Sequence, residues 1–278
     1  MRAQMGPAIW TALYAELPLD EALRTLHGHG WQAFEASTEH LVEIESAGEP
    51  VAGIERTLSC LRELDLSMPQ AHALLQADVA AFDAERRRED LGRLSAHIEI
   101  AAQLGVCNVV IHPGGRQEAT TQAERDRVLA LNVEAFRRLG DLAGERGVRI
   151  GLENLARRGA SMPYEMLDLL AAIDHRAIGI TLDTSHANMI GLNCAAAIRA
   201  LGPHLIATHI SDNDGSGDQH RTPGRGTIDW PEVVEALREV EYAGLFNLEI
   251  PGERHAVLPL RALASQHARK VAEWLVTL

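Results

Sequence analysis

The chain of 278 residues is short of several things that would mark particular classes of protein. It has three cysteines, Cys60, Cys107 and Cys194, with no CxxC spacing among them, so neither a disulfide framework nor a thiolate zinc site is expected. They read as buried thiols in a reducing compartment. Aromatic residues make up only 4% of the chain, which leaves few rings to wedge between bases or to pry a duplex open. Basic residues number 26 against 39 acidic ones, a formal charge of −13 that repels a phosphate backbone at long range. Nucleic acid is therefore disfavoured as a partner, although bound divalent ions would reverse the sign of the local field. No run of eighteen apolar residues occurs, and the opening MRAQMGPAIW lacks a long apolar stretch. Neither export nor membrane insertion is expected, and a cytoplasmic location follows. There is no Pro/Ser-rich linker, so residues 1–278 are expected to form one domain; assembly into a homo-oligomer stays open.

What the sequence does have is a repeat of type. Short apolar runs alternate with longer stretches of helical periodicity, the pattern of βα units around a parallel sheet. Eight strands are expected: AIWTAL around Ile9, WQAFE ending at Glu35, LDLSMPQAH at His72, NVVIH at His112, VRIGLE at Glu153, AIGITLD at Asp183, LIATH at His209 and LFNLE at Glu249. Between them lie helical stretches such as LGRLSAHIEIAAQLG and RVLALNVEAFRRLGDLAGERG, several closed by a glycine. Eight such units in one chain give an α/β fold, the (β/α)8 TIM barrel.

In such a barrel the C-terminal strand ends ring one mouth, where active sites lie. A single Glu or His at a strand end is ordinary turn chemistry. Six in succession, His72, His112, Glu153, Asp183, His209 and Glu249, are not. Carboxylates mixed with imidazoles, and no thiolate, suit Mn²⁺, Mg²⁺, Co²⁺ or Zn²⁺ in an oxygen-rich site. Behind His209 the glycine-rich segment HISDNDGSGDQHRTPGRG carries an Asp218-x-His220 pair whose alternation could aim both side chains at one point. The glycines of GSG and HPGG lack Walker or dinucleotide spacing.

The motifs VVIHPGG, GLEN, TLDTSHA, HISDNDG, DQHRTPGRGTIDW and LEIPGE, in this order, resemble the xylose isomerase-like TIM-barrel superfamily. That superfamily holds sugar isomerases and epimerases, dehydratases and zinc-dependent AP endonucleases. By this resemblance Glu153, Asp183, His209 and Glu249 would be the four metal ligands of the sugar-acting branches. The endonuclease branch uses nine ligands for three zinc ions, and matching types stand at His72, His112, Glu153, Asp183, His186, His209, Asp218, His220 and Glu249. Three metals can hold a phosphodiester and activate a water. The residues after His209 and the GTIDW tail look more like the sugar branch.

The expected function is thus a metal-dependent sugar or sugar-phosphate isomerase or epimerase, acting on a small carbohydrate-like substrate by proton abstraction through a cis-enediolate. The alternatives are an AP endonuclease-like trinuclear zinc phosphodiesterase, or a metal-dependent dehydratase or lyase on the same scaffold. Glu153 and Glu249 are the expected proton-transfer groups and His186 the donor to a substrate oxygen. His72, His112, His220, Arg221 and Arg225 are the expected substrate contacts; a solvated loop explains the arginines equally well. Glu35, Trp10 and Tyr14 could also touch substrate. His27, His29, His97, His175, His204, His255 and His267 read as structural or surface residues.

Overall fold

A computed structural model describes residues 5–47, 50–117, 119–156 and 160–278; the first four residues of the opening segment fall outside it. The strands are β1 (Gly6–Trp10), β2 (Ala33–Ala36), β3 (Ser67–His72), β4 (Asn108–Ile111), β5 (Arg149–Glu153), β6 (Ile178–Asp183), β7 (Leu205–His209) and β8 (Leu245–Leu248). All pair in parallel in the order β7-β6-β5-β4-β3-β2-β1-β8. The ring closes just past the end of β7, where Ile210 N–H donates to Asn247 O at 2.7 Å and Glu249 N–H to Ile210 O at 3.1 Å. This is the expected (β/α)8 barrel.

The strands form because apolar residues fill both of their faces: every residue of β6 and β7 is buried. The helices are α1 (Leu19–Gly28), α2 (Thr38–Ser46), α3 (Pro50–Glu63), α4 (Ala84–Gln103), α5 (Gln122–Glu145), α6 (Pro163–Ile173), α7 (Thr184–Met189), α8 (Cys194–Leu201), α9 (Trp230–Glu239) and α10 (Leu258–Leu275). They bury one stripe each against the outside of the barrel, and α1 shows the pattern with Leu19, Ala22, Leu23 and Leu26 inward. Gly105 and Gly147 follow α4 and α5 with φ of 78° and 72°, the left-handed geometry that stops a helix. Among the described residues no helix is long and apolar enough to cross a membrane.

The first strand ends at Trp10, so the TAL of AIWTAL forms a 3-10 turn (Thr11–Tyr14) and not strand, and three other strand ends differ from expectation by one residue. β2 runs on to Ala36, and β4 and β8 stop at Ile111 and Leu248, placing His112 and Glu249 just beyond the ladder. The consequence is small, since both still sit at the mouth. Cys107 is exposed, contrary to the reading of all three cysteines as buried, because it occupies the turn that enters β4 at the far end of the barrel.

The barrel interior changes character along its axis. Val110, Ile206 and Ala207 form a small apolar cluster inside it. Nearer the mouth, Glu35, Gln70, Thr181, His209 and Asn247 are all at 0–1% exposure, a polar layer where such barrels are more often filled by branched apolar residues. Buried polar groups must find partners, and this layer is the floor of the site.

Candidate metal centre

Glu153, Asp183, His209 and Glu249, from β5, β6, β7 and the end of β8, each offer a donor atom within 4.8 Å of the other three. His209 is central. Its Nδ1 lies 3.1 Å from Glu153 Oε1 and 3.2 Å from Glu249 Oε2, while its Nε2 lies 3.0 Å from Glu35 Oε1. Asp183 splits its carboxylate: Oδ1 accepts from His186 N at 2.8 Å and so caps α7, leaving Oδ2 toward the centre.

Two further groups flank this centre. On the deep side, His72 Nε2 and His112 Nε2 converge on Glu153 Oε2 at 3.0 and 3.1 Å. On the loop side, Asp218 lies between two imidazoles, with Oδ1 2.8 Å from His220 Nε2 and Oδ2 3.5 Å from His186 Nε2. All the residues expected as ligands in the nine-member set therefore face one mouth.

The imidazoles are oriented from behind. A carbonyl oxygen only accepts hydrogen bonds, so a ring nitrogen bound to one must carry a proton. His72 Nδ1 donates to Ala73 O (2.8 Å), His186 Nδ1 to Asn154 O (2.9 Å) and His220 Nδ1 to Glu249 O (3.1 Å). Each neutral ring then turns a lone pair on Nε2 toward carboxylate oxygen, an arrangement that needs either an extra proton or a cation between the two.

The metal-free protein meets that need with protons. Burial pulls the pKa of His209 down, but Glu35, Glu249 and Glu153 outweigh it and hold it well above the ordinary value. His186 is likewise held well up, against burial, by Asp183 and Asp218, and His220 rises to about 10 through Asp218, Asp183 and Glu249. Glu153 is driven up by burial yet carried well below the usual range by His209 and His112. Glu249 goes the other way, to about 7: burial dominates, and Glu153 and Asp183 add to it. Among the described residues, Asp183 Oδ2, His209 Nδ1 and Glu249 Oε2 are buried without a hydrogen bond of acceptable geometry. Orphaned donor atoms in a packed carboxylate and imidazole cluster fit a divalent cation.

The loop that carries Asp218 and His220 is held by polar groups the sequence reading did not single out. Asp212, fully buried, accepts from Gly224 N (2.8 Å), Ile228 N (3.3 Å) and Trp230 Nε1 (2.9 Å), and Gly226 passes so close to it that no Cβ would fit. Glu253, also buried, accepts from Thr222 N and Oγ1 at 3.1 and 3.0 Å. His220 itself has φ of 41°, an uncommon state for a residue with a side chain, fixed here by Gly252 N–H donating to its carbonyl at 3.1 Å. Asn154 of GLEN ties β5 to β6 through Asp183 N (2.7 Å) and Asp183 O (3.1 Å). The GLEN and HISDND motifs were the available signal for these roles; the partners were not.

Several expected substrate contacts have other partners. Arg221 lies 3.4 Å from Asp214 of its own loop, and Arg225 pairs at 2.5 Å with Glu253 from the turn after β8. Tyr14 is buried beside His29 and under Arg261. Glu35 lies beneath the mouth, behind His209, with no exposed surface. Of the histidines read as structural, His29 bonds Ser265, His97 faces Glu45 and His175 faces Asp141, all away from the centre.

The fold and the site define a class: a (β/α)8 barrel whose mouth gathers carboxylates and imidazoles from successive strand ends. Residues 23–278 match the family model of the xylose isomerase-like TIM barrel, and the chain belongs to that family. An uncharacterized protein of Methanocaldococcus jannaschii is 33% identical over 165 residues, 58% of this chain and 56% of its own. A D-psicose 3-epimerase of Enterocloster bolteae is 34% identical over 124 residues, 43% of this chain and 39% of its own. The chain thus aligns with little more than half the length of these curated relatives, or less. Among solved structures, a D-tagatose 3-epimerase-like protein superposes with a TM-score of 0.81 over 98% of each chain at 23% identity. A 3-keto-D-glucoside 4-epimerase of E. coli gives 0.76 over 99% of each at 21%. At these identities the structural likeness is one of fold.

Proposed function

We propose that the chain is a divalent-metal-dependent epimerase or isomerase of a sugar or sugar phosphate, with Glu153, Asp183, His209 and Glu249 holding the cation. One observation carries this reading: two glutamates from β5 and from the end of β8 flank His209, at 3.1 and 3.2 Å, and together with Asp183 they bring four donor atoms to within 4.8 Å of one another. Two carboxylates on either side of one centre can serve as base and acid on the two faces of a substrate. The 3-epimerase activity for which the D-psicose 3-epimerase relatives are named is in keeping with it.

When bound, Mn²⁺, Mg²⁺, Co²⁺ or Zn²⁺ supplies Lewis-acid polarisation of a substrate carbonyl, which acidifies the neighbouring C–H. The rest falls to side chains. One glutamate removes the proton from the carbon beside the carbonyl, giving a cis-enediolate, and the other returns a proton to the opposite face. Return to the same carbon inverts it; return to the former carbonyl carbon isomerises the sugar. His186, whose ring is anchored by its Nδ1 bond to Asn154 O and whose Nε2 lies 3.5 Å from Asp218 Oδ2, would donate from Nε2 to a substrate oxygen where negative charge develops. His72 and His112 hold Glu153 in place from the deep side.

The test is isotope exchange. The metal-loaded protein, incubated in D₂O with ketoses, keto-inositols and their phosphates, should place deuterium on one carbon beside the carbonyl of the true substrate, read by NMR. Absence of exchange across the panel, with cutting of an abasic-site duplex at the pace of a repair enzyme, would sink the proposal.

A second reading, a trinuclear zinc phosphodiesterase of the AP endonuclease type, is favoured by one feature: His72 and His112 on Glu153, and His186, Asp218 and His220 beside them, complete a nine-residue donor set. Elemental analysis divides the two, since one metal per chain suits the epimerase and three zinc ions the phosphodiesterase. A dehydratase or lyase would keep the same bases but release a β-leaving group from the enediolate, visible as loss of that group in the same NMR experiment.

A further inference from the structure

The four anchored imidazoles of the centre are not held alike. His72, His186 and His220 each give their Nδ1 proton to a backbone carbonyl. His209 alone is backed by a carboxylate, Glu35, on the ring nitrogen that faces away from the centre, and that nitrogen is Nε2. We infer that Glu35 is a positioning residue that fixes the tautomer of His209, so that this ring binds the cation through Nδ1, and that it strengthens that nitrogen as a ligand. The inference rests on the metal reading proposed above.

Glu35 has no surface with which to meet a substrate, and both of its oxygens are occupied. Oε1 lies 3.0 Å from His209 Nε2, while Oε2 accepts from Gln70 Nε2 at 3.2 Å and from Asn247 Nδ2. Donors from β7, β3 and β8 thus converge on one carboxylate of β2, which cannot turn away from any of them without leaving a buried N–H unpaired. An ionised carboxylate can only accept, so beside Glu35 the hydrogen belongs on His209 Nε2. The lone pair is left on Nδ1, the atom that faces Glu153 and Glu249. A carboxylate behind a ligating imidazole also raises the basicity of the nitrogen in front. A backbone carbonyl carries no net charge with which to do this.

Glu35→Gln separates these roles from bulk. An amide has the same shape but one acceptor oxygen where two are used. If the oxygen faces His209, the amide N–H groups meet the donors Gln70 and Asn247. If it faces those donors, an N–H meets Nε2 and moves the ring proton onto Nδ1, the metal-binding atom.

The experiment uses the full-length protein loaded with an NMR-active cadmium isotope and carrying histidine labelled at its ring nitrogens. We expect scalar coupling from cadmium to His209 Nδ1, and a proton on Nε2. In Glu35→Gln the cadmium dissociation constant should rise by about 10- to 100-fold, the range for loss of a partner behind a metal-bound imidazole, while the ring protons of His72 and His186 stay on Nδ1. Coupling through His209 Nε2, or an unchanged dissociation constant in the variant, overturns the role of Glu35 and leaves the metal reading standing. Cadmium bound without coupling to His209 at all overturns both. Should the variant not fold, the coupling in the unsubstituted protein still decides.

Discussion

His72 and His112 reach Glu153 from the ends of adjacent strands, β3 and β4, whereas Asp218 and His220 reach the same mouth from the long loop between β7 and α9. The deep flank inherits its geometry from the sheet. Hydrogen bonding between β3 and β4 registers His72 with Val110, two residues before His112, and each ring needs only one local anchor or none. The loop flank has no ladder and substitutes a set of buried polar clasps: Asp212 for its base, Glu253 for Thr222 and Arg225, and Asn213, which donates to Ser185 O at 2.8 Å. A strand end is placed by the whole barrel; a loop residue is placed by a few side chains, and fails with them.

The strongest way to break this comparison is to remove the residue on which the deep flank converges. Glu153→Gln should keep the barrel but lower turnover by about 10²- to 10⁴-fold, because an amide cannot accept the proton. The same change at Glu249, on the loop side, should match it. Near-normal turnover in both variants, measured on the substrate found by deuterium exchange, would remove the two-base mechanism.

Asp212→Ala should affect only the loop flank. Three donors lose their acceptor in a buried place, so unfolding free energy should fall by roughly 3 kcal/mol by denaturant titration, and hydrogen exchange should quicken across residues 212–230. The amides of β3 and β4 should keep their protection. Equal loss in both flanks would mean that the loop is part of the barrel's cooperative unit and that the division drawn above is wrong.

The smallest effect is one of pH. His220 has its pKa raised to about 10 by Asp218 and its neighbours, from an ordinary 6.5. A group raised in the folded state stabilises fully below its unfolded pKa and ceases to do so as pH climbs through the folded one. The metal-free loop should therefore become steadily easier to cleave by limited proteolysis from pH 6.5 up to about 10, with no such trend once a cation occupies the site. A loop that tightens over this range would show that its clasps, and not the Asp218–His220 pair, dominate it.

The apolar runs, their spacing and the polar residue at the end of each were enough to read the barrel and the six strand-end donors, because a strand buried on both faces has to be apolar until it reaches water at the mouth. Asp218 and His220 were also legible, from their alternation in a glycine-rich segment, and His186 through motif order. What lay beyond the sequence was who stands behind whom. Glu35 and His209 are 174 positions apart and meet only because the barrel closes, so nothing local distinguishes Glu35 as a residue behind His209 from a substrate contact. Arg221 and Arg225 sit in a polar loop, and whether a guanidinium there meets solvent, substrate or a buried Glu253 depends on where the chain after β8 returns. Periodicity and residue type are properties of a segment and survive in the one-dimensional string; hydrogen-bond partners, proton affinities and the tautomer of a ring are set by what other segments bring to within about 3 Å, and only the folded chain decides that.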